Sequence, residues 1–235
     1  MNILILRPEA GASRTAERAR ELGLAPIVAP IFDVQPVAWS PPDPALYEAV
    51  LVTSANAPRM GGEGLAAFTH LPCYAVGEGS AAAARHAGFT KVYTGPSDAE
   101  ALAALAAGEG VSRALHLCAA DHLTLRHPAL QVEAVPVYSA MPKEDLPRRA
   151  TEALERGAAV LLHSPRAAAH FARLLDHAGI ARSGIGIVTI SKAAAAAAGP
   201  GWGNVAVASE PRDYALLELA AKLCETGVHM NRAQA

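Results

Sequence analysis

The chain has 235 residues, 51% of them hydrophobic and 18% charged, so it is globular rather than disordered and long enough for two small domains. Its net charge of −2 gives no overall positive field for nucleic acid or an anionic membrane, so any anionic ligand must be held by local donors. Three cysteines (Cys73, Cys118 and Cys224), an odd number in apolar segments, suit reduced thiols rather than a disulfide framework.

Apolar runs of four to six residues alternate with alanine-rich helical patterns, the mark of parallel sheets with crossover helices. Strands are predicted at 3–6, 26–28, 50–53, 74–76, 92–93, 114–117, 132–135, 160–162, 187–190 and 205–207. Helices are predicted near 12–22, 57–68, 80–87, 98–107, 146–156, 166–177, 192–198 and 212–226. Two stretches break the rhythm, DVQPV at 33–37 and EAVPVY at 133–138. Both are extended and flanked by proline-rich loops, and their own prolines demote them to edge strands or linkers. They are therefore read as the connections between two lobes. The tail from Gly227 is polar and patternless. No apolar stretch is long enough to span a membrane. A first strand at residue 3, with Arg7 close behind, leaves no room for a secretory signal, so a cytoplasmic protein is expected.

The chain also repeats itself. YEAVLVTSAN (47–56) and GAAVLLHSPR (157–166) each run an apolar strand into a helix, through Thr53-Ser54 and His163-Ser164, 110 residues apart. CYAVG (73–77) is echoed by IVTIS (187–191), KVYTGPSDAEAL (91–102) by NVAVASEPRDYAL (204–216), and ILILRP (3–8) by ALHLCA (114–119). A duplicated strand–helix unit predicts two similar α/β lobes with a cleft between them that carries the function.

Ser54, Ser80, Ser97, Ser164, Ser191 and Ser209 each follow a predicted strand and precede a helix, where a serine accepts from the first helical turn. Ser97 and Ser209 are read as ordinary caps, the former in a capping box with Glu100, and Pro165 and Pro211 as early helical prolines. In parallel sheets these helix starts gather at the carboxyl ends of the strands, so Ser54, Ser80, Ser164 and Ser191 are candidates for contact with an anionic ligand. GEGSAA (77–82) formally fits a dinucleotide fingerprint. The next strand, however, ends in Tyr93-Thr94-Gly95 with no acidic residue to read a ribose, which disfavours an NAD enzyme. His116, Cys118, Asp121, His122 and His127 match no zinc spacing, so no metal is expected there.

Taken together, ILILRPEA (3–10), the prolines at Pro30 and Pro36, AVLVTSANA (49–57), YAVGEGSAAAARHAGF (74–89), VPVYSA (135–140), AVLLHSPRAAAHF (159–171) and IGIVTISKAAAAAAG (185–199) resemble uroporphyrinogen-III synthases in order and spacing. The resemblance covers about residues 2–225. It implies two flavodoxin-like parallel α/β lobes joined by a two-stranded β-ladder, with the active-site cleft between them. Residues 1–33 and 142–235 would form one lobe, 40–132 the other, and 34–39 with 133–141 the ladder. It implies cofactor-free closure of the linear tetrapyrrole hydroxymethylbilane to uroporphyrinogen III, with inversion of the last ring and loss of water; a monomer with that small molecule as its partner is expected. No nucleic acid or membrane is implied.

Tyr138 stands where the family has a tyrosine facing the cleft, and a neutral phenol can assist loss of the substrate hydroxyl. Arg7, at the end of the first strand, is a candidate fork for a substrate carboxylate. Asn56, Arg166 and Lys192 are further candidates. The chain departs from the family in three places. Ser80 replaces a frequent threonine, and Ile190-Ser191-Lys192 lacks the usual glycine and threonine. Cys118-Ala119-Ala120-Asp121 lacks the usual glycine and arginine. The alternative is a two-lobed binding or regulatory module that closes on a carboxylated small molecule without chemistry.

Overall fold

In the computed structural model, which describes residues 1–9, 11–95, 98–122 and 124–225, the chain divides into two units. Unit 1 consists of Met1–Asp33 and the chain from Pro142 onward, and unit 2 of Val34–Met141. Unit 1 opens with β1 (Asn2–Ile5), α1 (Gly11–Glu21) and β2 (Ala25–Val28). The chain then supplies β3 (Phe32–Pro36), β4 (Ala49–Val52), α2 (Asn56–Met60), β5 (Cys73–Val76), α3 (Gly77–His86), β6 (Val92–Gly95), α4 (Ala99–Gly108), β7 (Arg113–Ala119) and β8 (Gln131–Pro142). It returns to unit 1 for α5 (Arg148–Glu155), β9 (Ala159–Leu162), α6 (Pro165–His177), β10 (Gly186–Thr189), α7 (Lys192–Ala198), β11 (Asn204–Val207) and α8 (Asp213–Glu225).

Each unit is built on one sheet. Unit 1 has the order β11-β10-β9-β1-β2 with every pair parallel. The second sheet has the order β3-β8-β7-β4-β5-β6, and its pairs from β8 to β6 are parallel. Read from the far edge, β6-β5-β4-β7-β8 repeats β11-β10-β9-β1-β2 strand for strand, with β4 and β9 beginning 110 residues apart. The echoes in the sequence are these pairs. The chain enters the repeat partway through, so unit 1 is a circular permutation of the five-stranded pattern that unit 2 runs through without interruption.

Burial explains the strands. β4, β9 and β10 are buried along their whole length, as central strands covered on both faces must be. Alternate residues feed opposite faces. Val50, Val52, Cys73, Ala75, Leu115 and Leu117 join one core of unit 2, while Ala49, Leu51, Tyr74 and Ala114 join the other. Among the described residues no helix is long and apolar enough to cross a membrane.

Two expectations need correction. The segment 133–138 is not an edge strand: it lies in β8, which is paired with β7 on one side and β3 on the other. Its proline is accommodated by a bulge. Cys118 pairs with Pro136 but Ala119 pairs with Tyr138, so the residue without an N–H sits where the ladder is already broken. The single helix expected at 57–68 is split into α2 and a 3₁₀ stretch, Gly62–Phe68. Gly62 has φ +63°, and the Trp39 indole N–H donates to the Gly61 carbonyl at 2.8 Å, so the α-helical ladder stops there.

α3 starts directly from β5 because Gly77 adopts φ +64° with no other atom within 4 Å of where a Cβ would stand. Gly77→Ala should therefore destabilise the protein by about 1–2 kcal/mol through backbone strain alone. Urea unfolding measures this, and an unchanged midpoint would mean the turn does not need the left-handed conformation.

Candidate functional site

Parallel pairing brings the residues after β4, β7 and β9 to the carboxyl edges of their sheets, and the sequence candidates fall into two groups, one on each unit. In unit 2, Thr53 Oγ1 lies 3.0 Å from His116 Nε2. His116 is buried on β7, its Nδ1 finds no partner, and burial, with the neighbouring His122, pushes its pKa down to about 4. The imidazole is therefore neutral at pH 7. One residue on, the Ser54 hydroxyl is near enough to the Tyr138 phenol to influence its ionisation. Tyr138 is only 9% exposed and packs with Val52 and Leu117; burial raises its pKa while Ser54 acts in the opposite direction. The phenol thus holds its proton at neutral pH. Asn56 is buried at the start of α2.

In unit 1, the guanidinium of Arg7 is not an open fork. Its Nη1 donates to Thr15 Oγ1 at 3.3 Å and to Asp213 Oδ1 at 3.4 Å. Asp213, the first residue of α8, is a hub. Its Oδ1 also receives the Thr15 hydroxyl at 2.8 Å and faces His163 Nε2 at 3.0 Å, and its Oδ2 pairs with Arg18 at 3.1 Å. Burial alone would raise the Asp213 pKa. Hydrogen bonds from His163 and Thr15, with the charge of Arg7, outweigh it and hold the carboxyl well below the usual range. Burial lowers the pKa of His163, with Asp213 opposing.

The serines divide. Ser164 caps α6 by accepting from Ala167 N at 3.1 Å, and Ser191 caps α7 by accepting from Ala194 N at 3.2 Å. Ser54 does not cap α2: it accepts from Asn56 N at 3.2 Å, and the capping position falls on Ala55. Ser80 is buried one turn inside α3, and Ser209 and Pro211 precede the start of α8. Asp98 caps α4, accepting from Ala101 N at 2.7 Å, whereas Ser97 and the tail from Gly227 lie outside the described residues. Arg166 sits with its guanidinium 4.7 Å from the Phe32 ring centroid, and Lys192 is exposed at the start of α7. His122 Nδ1 lies 3.0 Å from the Ala119 carbonyl. Among the described residues, no three His, Cys, Asp or Glu side chains are grouped to hold a metal.

The hub was missed in the sequence. Arg7 and Asp213 stand 206 residues apart, and no local pattern joins them. One signal existed: His163 takes the place of Thr53 in the repeat, a titratable side chain where its counterpart is neutral.

Parallel sheets with helices between their strands define an α/β protein, a class in which ligands commonly bind at the carboxyl ends of the strands. Residues 13–218 match the family described as Uroporphyrinogen-III synthase HemD, and the chain belongs to that family, which cyclises hydroxymethylbilane in tetrapyrrole biosynthesis. The fold is shared with the uroporphyrinogen-III synthetase of Helicobacter pylori, at 18% identity over 95% of this chain and 100% of that one, with a TM-score of 0.59. A wild-type uroporphyrinogen III synthase from Thermus thermophilus is similar at 17% identity over 97% of this chain and 99% of its own, with a TM-score of 0.42. Comparison with curated proteins gives no significant match.

The buried imidazole of His116 predicts a pH effect. Between its ordinary value of 6.5 and about 4, the unfolded chain binds a proton that the folded chain refuses. Stability from this group is complete above pH 6.5 and is lost as pH falls toward 4. The drop in unfolding free energy from pH 7.5 to 4.5 should be smaller in His116→Gln than in the parent by about 2–3 kcal/mol. Urea titrations at the two pH values measure it, and identical drops would mean His116 titrates as an exposed histidine does.

Proposed function

We propose that this chain closes hydroxymethylbilane to uroporphyrinogen III, with inversion of the last ring and loss of water, and that Tyr138 is its general acid. The bond between the hydroxymethyl carbon and its oxygen breaks, and the pyrrole nitrogen of that ring supplies the electrons, leaving an azafulvene. The linked α-carbon of the last ring attacks it to form a spiro intermediate. The older link to that carbon then breaks and re-forms at the last ring's other α-carbon, which loses its proton, so the last ring is inverted and water is the net loss. The substrate supplies its own electron push, so the protein must fold it into reactive geometry and help the hydroxide leave. A phenol that donates to the departing oxygen does the second task. The observation that carries this reading is Tyr138 itself, buried, with its pKa raised and the Ser54 hydroxyl beside it.

The acetate and propionate groups of the substrate need donors on a protein with no excess positive charge. We assign that role to Arg7, Ser54, Asn56, Arg166 and Lys192, with the capped helix starts at Ser164 and Ser191. Ser80 is too deeply buried to join them. We further propose that the two units are the family's two lobes and that segments 34–39 and 133–141 form the ladder joining them. The strand order of unit 1, read as 2-1-3-4-5 within that sheet, is the flavodoxin-like order and supports this assignment.

Replacement of Tyr138 by phenylalanine tests the mechanism. It should lower kcat on the order of 10- to 1000-fold, with KM nearly unchanged and the type III isomer still dominant. Steady-state kinetics with isomer analysis measures this, and full activity in Tyr138→Phe would remove the phenol from the reaction.

A further inference from the structure

Gly11 opens α1, and its φ is not among the positive values that would require a glycine backbone. An alanine at that position would suit the helix at least as well. The reason for glycine is spatial. A Cβ on residue 11 would stand 2.5 Å from Arg7 Nε, 2.7 Å from Cζ and 2.7 Å from Nη2, so the guanidinium occupies the place a side chain would fill. The nearest obstacles are thus all atoms of this one flexible side chain.

We propose that Gly11 is a positioning residue for Arg7. Its bare Cα lets the guanidinium lie against the first turn of α1, while Thr15 and Asp213 draw Nη1 to one side at 3.3 and 3.4 Å. Three contacts from two helices thus set one cation at the carboxyl end of β1. Any side chain at residue 11 pushes the guanidinium off by about 1 Å, the difference between 2.5 Å and ordinary van der Waals separation. A charge-assisted contact between this guanidinium and a carboxylate tolerates little such displacement. The inference rests on the proposal that Arg7 contacts a substrate carboxylate.

Three variants test it: Arg7→Ala, Gly11→Ala and the double variant. Arg7→Ala should raise KM on the order of 10- to 100-fold with kcat within about twofold, the loss of a charge-assisted contact. Gly11→Ala should raise KM about 5- to 30-fold with kcat similarly unchanged. It should do so while remaining fully folded at the assay temperature, so that KM rises with kcat held, a split that a merely structural role would not give. The double variant should match Arg7→Ala, because the glycine acts only through the arginine. A parental KM in Gly11→Ala beside a raised KM in Arg7→Ala would overturn the positioning role and leave the arginine contact standing. A parental KM in Arg7→Ala would overturn the contact and the positioning role together.

Discussion

Parallel pairing is the constraint from which the rest of the molecule follows. When neighbouring strands run the same way, their carboxyl ends meet at one edge, and the helices that follow begin there. In unit 1 that edge gathers Arg7, His163, Ser164 and Ser191, and in unit 2 it gathers Thr53, Ser54 and Cys118. These side chains are far apart in the sequence and share little local pattern. They are brought into range because the sheets are parallel, and an antiparallel sheet would scatter them to opposite edges.

The same constraint explains how one repeated pattern serves two chemistries. The strands β9 and β4 end in corresponding positions, yet one is followed by His163 and the other by Thr53. In unit 1 the histidine joins Asp213, Arg7 and Thr15 in a charged cluster that binds α1 and α8 to the sheet edge. In unit 2 the threonine meets a neutral, buried His116, and the neighbouring serine meets a protonated phenol. Burial favours the neutral form in unit 2, whereas mutual compensation keeps the carboxylate charged in unit 1.

Much of the fold was legible because the strands that matter are buried on both faces and read as unbroken apolar runs, as in AVLV (49–52) and AVLL (159–162). The caps at Ser164 and Ser191 were legible because serine there does the work of a helix start. Ser54 and Ser80 were not, since α2 begins two residues beyond Ser54 and α3 starts at Gly77 through a left-handed turn that needs no cap. Pro136 suggested an edge, but a bulge lets it sit between two partners. Asp213 was invisible: its partners lie on α1, α6's approach and the end of β1, and only the folded sheet brings them together.

The family assignment makes one demand on the protein that no passive binder meets. Hydroxymethylbilane closes on its own to the type I isomer, with its last ring uninverted, so the product isomer reports directly on catalysis. The decisive measurement is the isomer composition formed when the purified protein receives freshly generated hydroxymethylbilane with no metal or cofactor added. The account predicts type III as the main product, formed faster than spontaneous closure. Type I alone, at the spontaneous rate, would contradict it.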